Sequence, residues 1–259
     1  MKLVVVGAGT MGRGIAGVAL GAGLETTLVD VDSAVLEAAR ERIAQFGDVS
    51  RLTLSTAPAA GDVVIEAVPE VFDLKVDVLR GARASLLVSN TSTLSITALA
   101  RACGDPPRLI GMHFFNPVHR MKLVEVVVGA ATDASAVTDA LSLAETLGKE
   151  PVVVRDAPGF VTSRLGLLLG NEAMRMVEEG VASAEDIDKA MRLGYGHPMG
   201  PLELADLIGL DARLNNVRSM HAQSGDERYA PPAILERLVA EGRLGRKSGE
   251  GFYRYDDAD

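Results

Sequence analysis

Residues 3–14, LVVVGAGTMGRG, commit the start of the chain to one local architecture. The apolar run 3–6 reads as a buried strand, and it enters a turn punctuated by Gly7, Gly9 and Gly12. A helical pattern, MGRGIAGVALGAG, begins inside the same motif and leads to a second apolar strand at 26–29, closed by Asp30. Gly7 permits the tight turn, Gly9 lets backbone amides approach a pyrophosphate, and Gly12 lets the helix lie close to the strand. Thr10 and Met11 stand at the helix start, where unpaired N–H groups and the positive dipole end favour an anion. Strand, glycine turn, helix and second strand in this order form a dinucleotide-binding fingerprint. Asp30 falls where a carboxylate accepts hydrogen bonds from the adenosine ribose; a 2′-phosphate there would meet a negative charge, so NAD is expected over NADP.

Strand-like runs at 3–6, 26–29, 62–67, 86–90 and 109–115 alternate with helical patterns, which predicts a doubly wound, mainly parallel sheet. The pattern then changes. Runs at 123–128 and 151–154 are strand-like, and the first follows the 109–115 run after only a short segment, suited to an antiparallel turn. After Arg155 helical patterns take over, placing a NAD-binding domain at 1–155 and a helical substrate and dimerisation domain at 156–259. FVTSRLGLLLGNEAMRMVEEG is apolar on most of its circumference and is expected to be buried, most easily in a dimer. SAEDIDKAMRLG starts with Ser183 as N-cap and stops at Gly194. Further helices are expected at 201–208, 211–223 and 232–241.

The formal net charge of −9 argues against nucleic-acid or anionic-membrane partners, so an anionic ligand must be held by local groups. One cysteine, Cys103, excludes an intramolecular disulfide and fits a reducing compartment. With strand and turn at the first residues and no apolar run of membrane-span length, the expected location is the cytoplasm. No metal is expected.

A nicotinamide needs a partner that exchanges the substrate's hydroxyl proton while hydride moves at carbon. Of the four histidines, His113 stands near the carboxyl end of the run LIGMHFF, the edge at which α/β sheets place their ligands. If 116–122 turns the chain symmetrically about His119, Glu125 falls opposite His113 on the same face. A carboxylate there fixes the imidazole tautomer and stabilises the imidazolium; a plain cross-strand polar pair is the alternative. Ser92 follows the strand LLVSNT and either orients the reacting oxygen or caps the next helix. Asn116, before Pro117, either makes a turn or contacts the nicotinamide end of the cofactor. Glu66 and Glu70 follow a buried strand where surface carboxylates are common, and Lys75 opens a helix expected to be exposed.

Taken together, VGAGTMGRGIA, IEAVPE, SNTSTLSI, GMHFFNPVHRMKLVEVV, DAPGFVTSRL, EDIDKAMRLGYGHPMGPLELADLIGLD and GRKSGEGFYRY resemble the L-3-hydroxyacyl-CoA dehydrogenase family, also called 3-hydroxybutyryl-CoA dehydrogenases. The resemblance covers nearly the whole chain. It implies a Rossmann-type domain followed by a helical dimerisation domain in a homodimer, and an NAD-dependent oxidoreductase of fatty acid metabolism. The implied reaction converts an L-3-hydroxyacyl thioester, most simply 3-hydroxybutyryl-CoA, to the 3-ketoacyl thioester. It further implies His113 as general base, Glu125 as its partner, Ser92 as a contact to substrate and cofactor, and Asn116, Glu70, Lys75 and Lys247 as cofactor-side contacts. Two departures stand out. Ser163 replaces an asparagine that helps organise the family's active centre, and serine reaches less far. The basic helical hairpin that contacts coenzyme A in the family is shortened here to a stretch with Arg40, Arg42 and Arg51 but no lysine cluster. That opens an alternative substrate, a free 3-hydroxy acid or a carrier-protein-bound 3-hydroxyacyl group.

Overall fold

Alternation of side chains along the first strands decides the layers. In the computed structural model, which describes residues 1–45 and 47–255, β1 (Lys2–Val6) turns Leu3 and Val5 to one face and Val4 to the other. Both sets are fully buried, so helices must cover both faces. One face carries α1 (Thr10–Gly21), α2 (Ser33–Ala44) and α5 (Ala134–Thr146), whose Ile15, Leu36 and Leu143 pack with Leu3 and Val5. The other carries α3 (Phe72–Gly81) and α4 (Ile96–Cys103), whose Val76 and Leu99 pack with Val4.

The remaining strands are β2 (Glu25–Val29), β3 (Leu52–Ser55), β4 (Val63–Glu66), β5 (Leu86–Ser89), β6 (Leu109–Phe114), β7 (Leu123–Val128) and β8 (Glu150–Arg155). They form one sheet in the order β3-β2-β1-β4-β5-β6-β7-β8, parallel except where β6 meets β7. The expected doubly wound, mainly parallel sheet is therefore present. The strand β3 is one that apolar periodicity does not mark. It lies at the sheet edge and is only partly buried, so it needs no continuous apolar run.

The chain divides into two compact units, Met1–Phe160 and Val161–Asp259. Residues 156–160 belong to the first: Asp156 accepts hydrogen bonds from Ser95 Oγ and the Thr97 amide at the start of α4, and Phe160 is buried in the α3/α4 face. The second unit is helical, built of α6 (Thr162–Glu178), α7 (Ala184–Tyr195), α8 (Pro201–Ile208), α9 (Leu210–Ser224) and α10 (Ala233–Ala240) around Leu167, Met174, Leu202 and Leu235. Ser183 caps α7 as expected, but the helix runs past Gly194 and stops at Gly196, whose φ of 72° supplies the left-handed cap. The terminal GRKSGEGFYRY segment is tied down by Asp206, which accepts from the Phe252 and Tyr253 amides and the Tyr255 hydroxyl. Within the chain α6 is not buried all round: Leu165 is 62% exposed, and Leu169 beside it is exposed as well.

Candidate active site

The glycine turn has the shape its spacing predicts. Gly7 adopts φ 100°, and a Cβ there would lie 2.7 Å from the Ala67 carbonyl oxygen. A Cβ on Gly12 would fall 1.7 Å from the Gly7 carbonyl oxygen, so only glycine lets α1 start this close to the turn. Above Gly9, the N-cap of α1, nothing lies within 4 Å of an added Cβ. That open approach to the first amides of α1, including those of Thr10 and Met11, is what a pyrophosphate requires. Asp30 Oδ2 accepts from the Ala8 amide at 2.8 Å and Oδ1 from the Asp32 amide at 3.2 Å. A carboxylate has about four acceptor positions, so two remain for ribose hydroxyls.

At the carboxyl ends of β4 and β5 a second cluster replaces the surface carboxylates and solvated lysine expected there. Glu66 and Lys75 are buried and paired at 2.7 Å. Lys75 also donates to the Val68 carbonyl at 3.1 Å and lies 3.3 Å from Glu70 at the rim. The burial has a simple cause: Glu66 shares the parity of Val64 on β4 and so points under α3, whose buried face carries Lys75. Burial pushes the Glu66 carboxyl above its usual range, against the opposing charge of Lys75 and the Ser89 hydroxyl bond at 2.7 Å. Glu70 goes the other way. Desolvation would raise it, but the charge of Lys75 and donors from Thr91, Ser92 and Thr93 outweigh that and hold the carboxyl low. Its Oε1 accepts from Thr91 Oγ1 at 2.5 Å, the Ser92 amide at 2.9 Å and the Thr93 amide at 3.0 Å. Ser92 is thus held by Glu70 and does not cap α4; that cap is Ser95, which accepts from the Ala98 amide.

The antiparallel turn sets His113 opposite Glu125, in the register that symmetry about His119 predicts. The two side chains meet at 2.7 Å between Nδ1 and Oε2, with Glu125 fully buried and His113 8% exposed. A carboxylate at Nδ1 makes that nitrogen the donor and leaves Nε2 with a lone pair. Phe115 and Phe160 flank the imidazole at ring-centroid distances of 4.4 and 6.0 Å. Asn90, which the sequence reading did not single out, accepts from the Phe114 amide at 3.0 Å and ties the end of β5 to the end of β6. The signal was available in retrospect: SNTST and IEAVPE place polar side chains directly after fully buried strands.

Asn116 is exposed in the turn after β6. Ser163 and Lys247 belong to the helical unit, Ser163 in the first turn of α6 and Lys247 with its ammonium 2.6 Å from Asp211. The first unit therefore brings together the glycine turn, Asp30, Glu70, Lys75, Ser92, His113 and Glu125 along the carboxyl edge of its parallel strands.

A doubly wound sheet with a glycine cradle open to a pyrophosphate, and with a buried imidazole–carboxylate pair at the same edge, defines a nucleotide-dependent dehydrogenase. Residues 2–157 match the NAD-binding domain of 3-hydroxyacyl-CoA dehydrogenase and residues 159–255 match its C-terminal domain, so the chain belongs to the 3-hydroxyacyl-CoA dehydrogenase family and its cofactor is NAD. A probable 3-hydroxybutyryl-CoA dehydrogenase of Bacillus subtilis is 42% identical over 280 residues, covering 99% of this chain and 98% of that protein. Another from Deinococcus radiodurans is 41% identical, covering 98% and 100%. The crystal structure of (S)-3-hydroxybutyryl-CoA dehydrogenase from Ralstonia eutropha superposes with a TM-score of 0.93 at 38% identity, covering 99% of both chains. The Bacillus alignment spans 280 positions against 259 residues here, so gaps fall opposite parts of that protein.

Proposed function

We propose that the protein oxidises an L-3-hydroxyacyl-CoA thioester, most simply 3-hydroxybutyryl-CoA, to the 3-ketoacyl thioester, and that His113 is the general base. The observation that carries this reading is the 2.7 Å His113–Glu125 pair at the carboxyl edge of the sheet. NAD, when bound, accepts the hydride from C3. His113 takes the hydroxyl proton at Nε2, because Nδ1 is engaged by Glu125, and the carboxylate stabilises the imidazolium that results. Ser92, held by Glu70, orients the reacting oxygen, and Asn116 and Lys75 act on the cofactor side. Gly7, Gly9, Thr10, Met11, Gly12 and Asp30 hold the dinucleotide. Ser163 stands where the family's asparagine orders the substrate and does so here through a shorter reach. Lys247 serves the cofactor side from the helical unit once its Asp211 bond is exchanged.

The exposed Leu165 and Leu169 on α6, with Leu207 and Ile208 on α8, support a homodimer formed through the helical unit. A single buried cysteine supports a reducing, cytoplasmic setting, and among the described residues no helix is long and apolar enough to cross a membrane. A His113→Gln variant tests the assignment. It binds NADH with wild-type affinity and loses turnover of 3-hydroxybutyryl-CoA by at least about a hundredfold; unchanged turnover rejects His113 as the base.

A further inference from the structure

Among the described residues every positive φ but one belongs to a glycine. The exception is Phe160 at φ 49°, directly after Gly159 at φ 71°. Left-handed backbone brings a Cβ close to a carbonyl oxygen, so a glycine would hold this turn with less strain. The chain keeps an aromatic ring there and buries it: Phe160 is 4% exposed. Strain of this kind persists only where the surroundings over-determine the conformation. Here both ends of the segment are fastened. The Asp156 amide donates to the Val128 carbonyl at 3.0 Å, and its Oδ2 accepts from Ser95 Oγ and the Thr97 amide, each at 2.8 Å. The Phe160 amide donates back to the Ala157 carbonyl at 3.0 Å, and the ring lies in the cluster that holds Leu99 and Val127.

That cluster reaches the imidazole. His113 shares the parity of Leu109 on β6 and Glu125 that of Val127 on β7, so the pair and the Phe160 ring meet on one face of the sheet. The Glu125 bond leaves one freedom open. It fixes Nδ1, but the last torsion of a histidine side chain is broad, and the ring can still tilt about the Nδ1···Oε2 line and swing Nε2. Phe115 packs against the imidazole at 4.4 Å between centroids and Phe160 at 6.0 Å. Phe115 follows directly on β6 and moves with it. Phe160 comes from a segment anchored on β7 and α4, so it supplies a wall fixed independently of the strand that carries His113.

We propose that Phe160 is a positioning residue for the reaction: its ring, carried on left-handed backbone, limits the tilt of the His113 imidazole and so aims Nε2 at the substrate hydroxyl. The proposal rests on the assignment of His113 as general base given above. A misplacement of about 1 Å can cost roughly a hundredfold in rate, so a loosened imidazole lowers kcat while ground-state binding is untouched.

The test uses the full-length protein with Phe160→Leu, which keeps an apolar side chain but no flat face, and Phe160→Tyr, which keeps the ring. In Phe160→Leu kcat for 3-hydroxybutyryl-CoA falls about tenfold, while KM and the NADH Kd stay within about twofold of wild type. In Phe160→Tyr kcat stays within about threefold. A Phe160→Leu kcat within about threefold of wild type, or equal losses in the two variants, makes Phe160 an ordinary core residue and overturns the proposal. The rate at which diethyl pyrocarbonate acylates His113 in the cofactor-free protein, read by mass spectrometry of the His113 peptide, is independent of turnover. With His113 only 8% exposed, that rate rises in Phe160→Leu and stays at the wild-type value in Phe160→Tyr. An unchanged rate in Phe160→Leu overturns the proposal. If the wild type turns over no 3-hydroxyacyl-CoA, or His113→Gln keeps its turnover, the functional reading fails, while the acylation rates still decide whether Phe160 confines the imidazole.

Discussion

Replacing Glu125 by glutamine removes a charge while keeping the size and shape of the side chain. The carboxylate is fully buried and 2.7 Å from His113 Nδ1, so solvent screens the interaction little. In the ground state a glutamine carbonyl can still accept the Nδ1 proton, which preserves the tautomer and leaves Nε2 as the base. The difference appears when the imidazole becomes cationic. A hydrogen bond to an ionised partner contributes about 1.5–3 kcal/mol, against about 1 kcal/mol for a neutral one. With low exposure on both sides the upper part of that range applies, and a loss of about 2 kcal/mol corresponds to roughly thirtyfold in kcat. Steady-state kinetics with 3-hydroxybutyryl-CoA, read as NADH absorbance, measure this directly. NAD affinity stays at the wild-type value because Glu125 does not border the glycine cradle, and thermal stability does not fall sharply because a buried carboxylate is no longer desolvated. A kcat within threefold of wild type would refute the reasoning, since the pair would then be an ordinary cross-strand contact.

Lys75→Met strands Glu66 as an uncompensated buried charge and lowers unfolding free energy by about 3–5 kcal/mol; adding Glu66→Gln recovers at least half, as read from urea midpoints. A loss under about 1 kcal/mol for the single variant contradicts the buried pairing. Glu70 supplies a pH signature. Its folded carboxyl is held below the ordinary 4.5, so its stabilisation is fully present above that value and is lost as pH falls through the folded one. Stability curves of wild type and Glu70→Gln therefore converge as the pH drops below 4.5, and parallel curves there reject the network.

What short-range spacing encodes was legible from the chain itself. The three glycines state a backbone requirement at fixed offsets, and the structure meets it with a left-handed Gly7 and a Gly12 that touches the Gly7 carbonyl. The His113–Glu125 register was also legible, because a short antiparallel turn fixes which residues face each other and the side-chain period of two fixes the face. Lys75 marks the limit. A lysine in the first turns of an amphipathic helix reads as solvated, and only the packing of α3 over β4 turns it toward Glu66 and makes it the hub between Glu66 and Glu70. The same holds for Ser92, whose neighbours in sequence suggested a cap, and for Asn90, whose partner lies on another strand. Local sequence thus determined the nucleotide cradle and the imidazole–carboxylate pair. Tertiary structure alone decided which polar groups behind them are buried, because burial depends on which distant element covers each strand end.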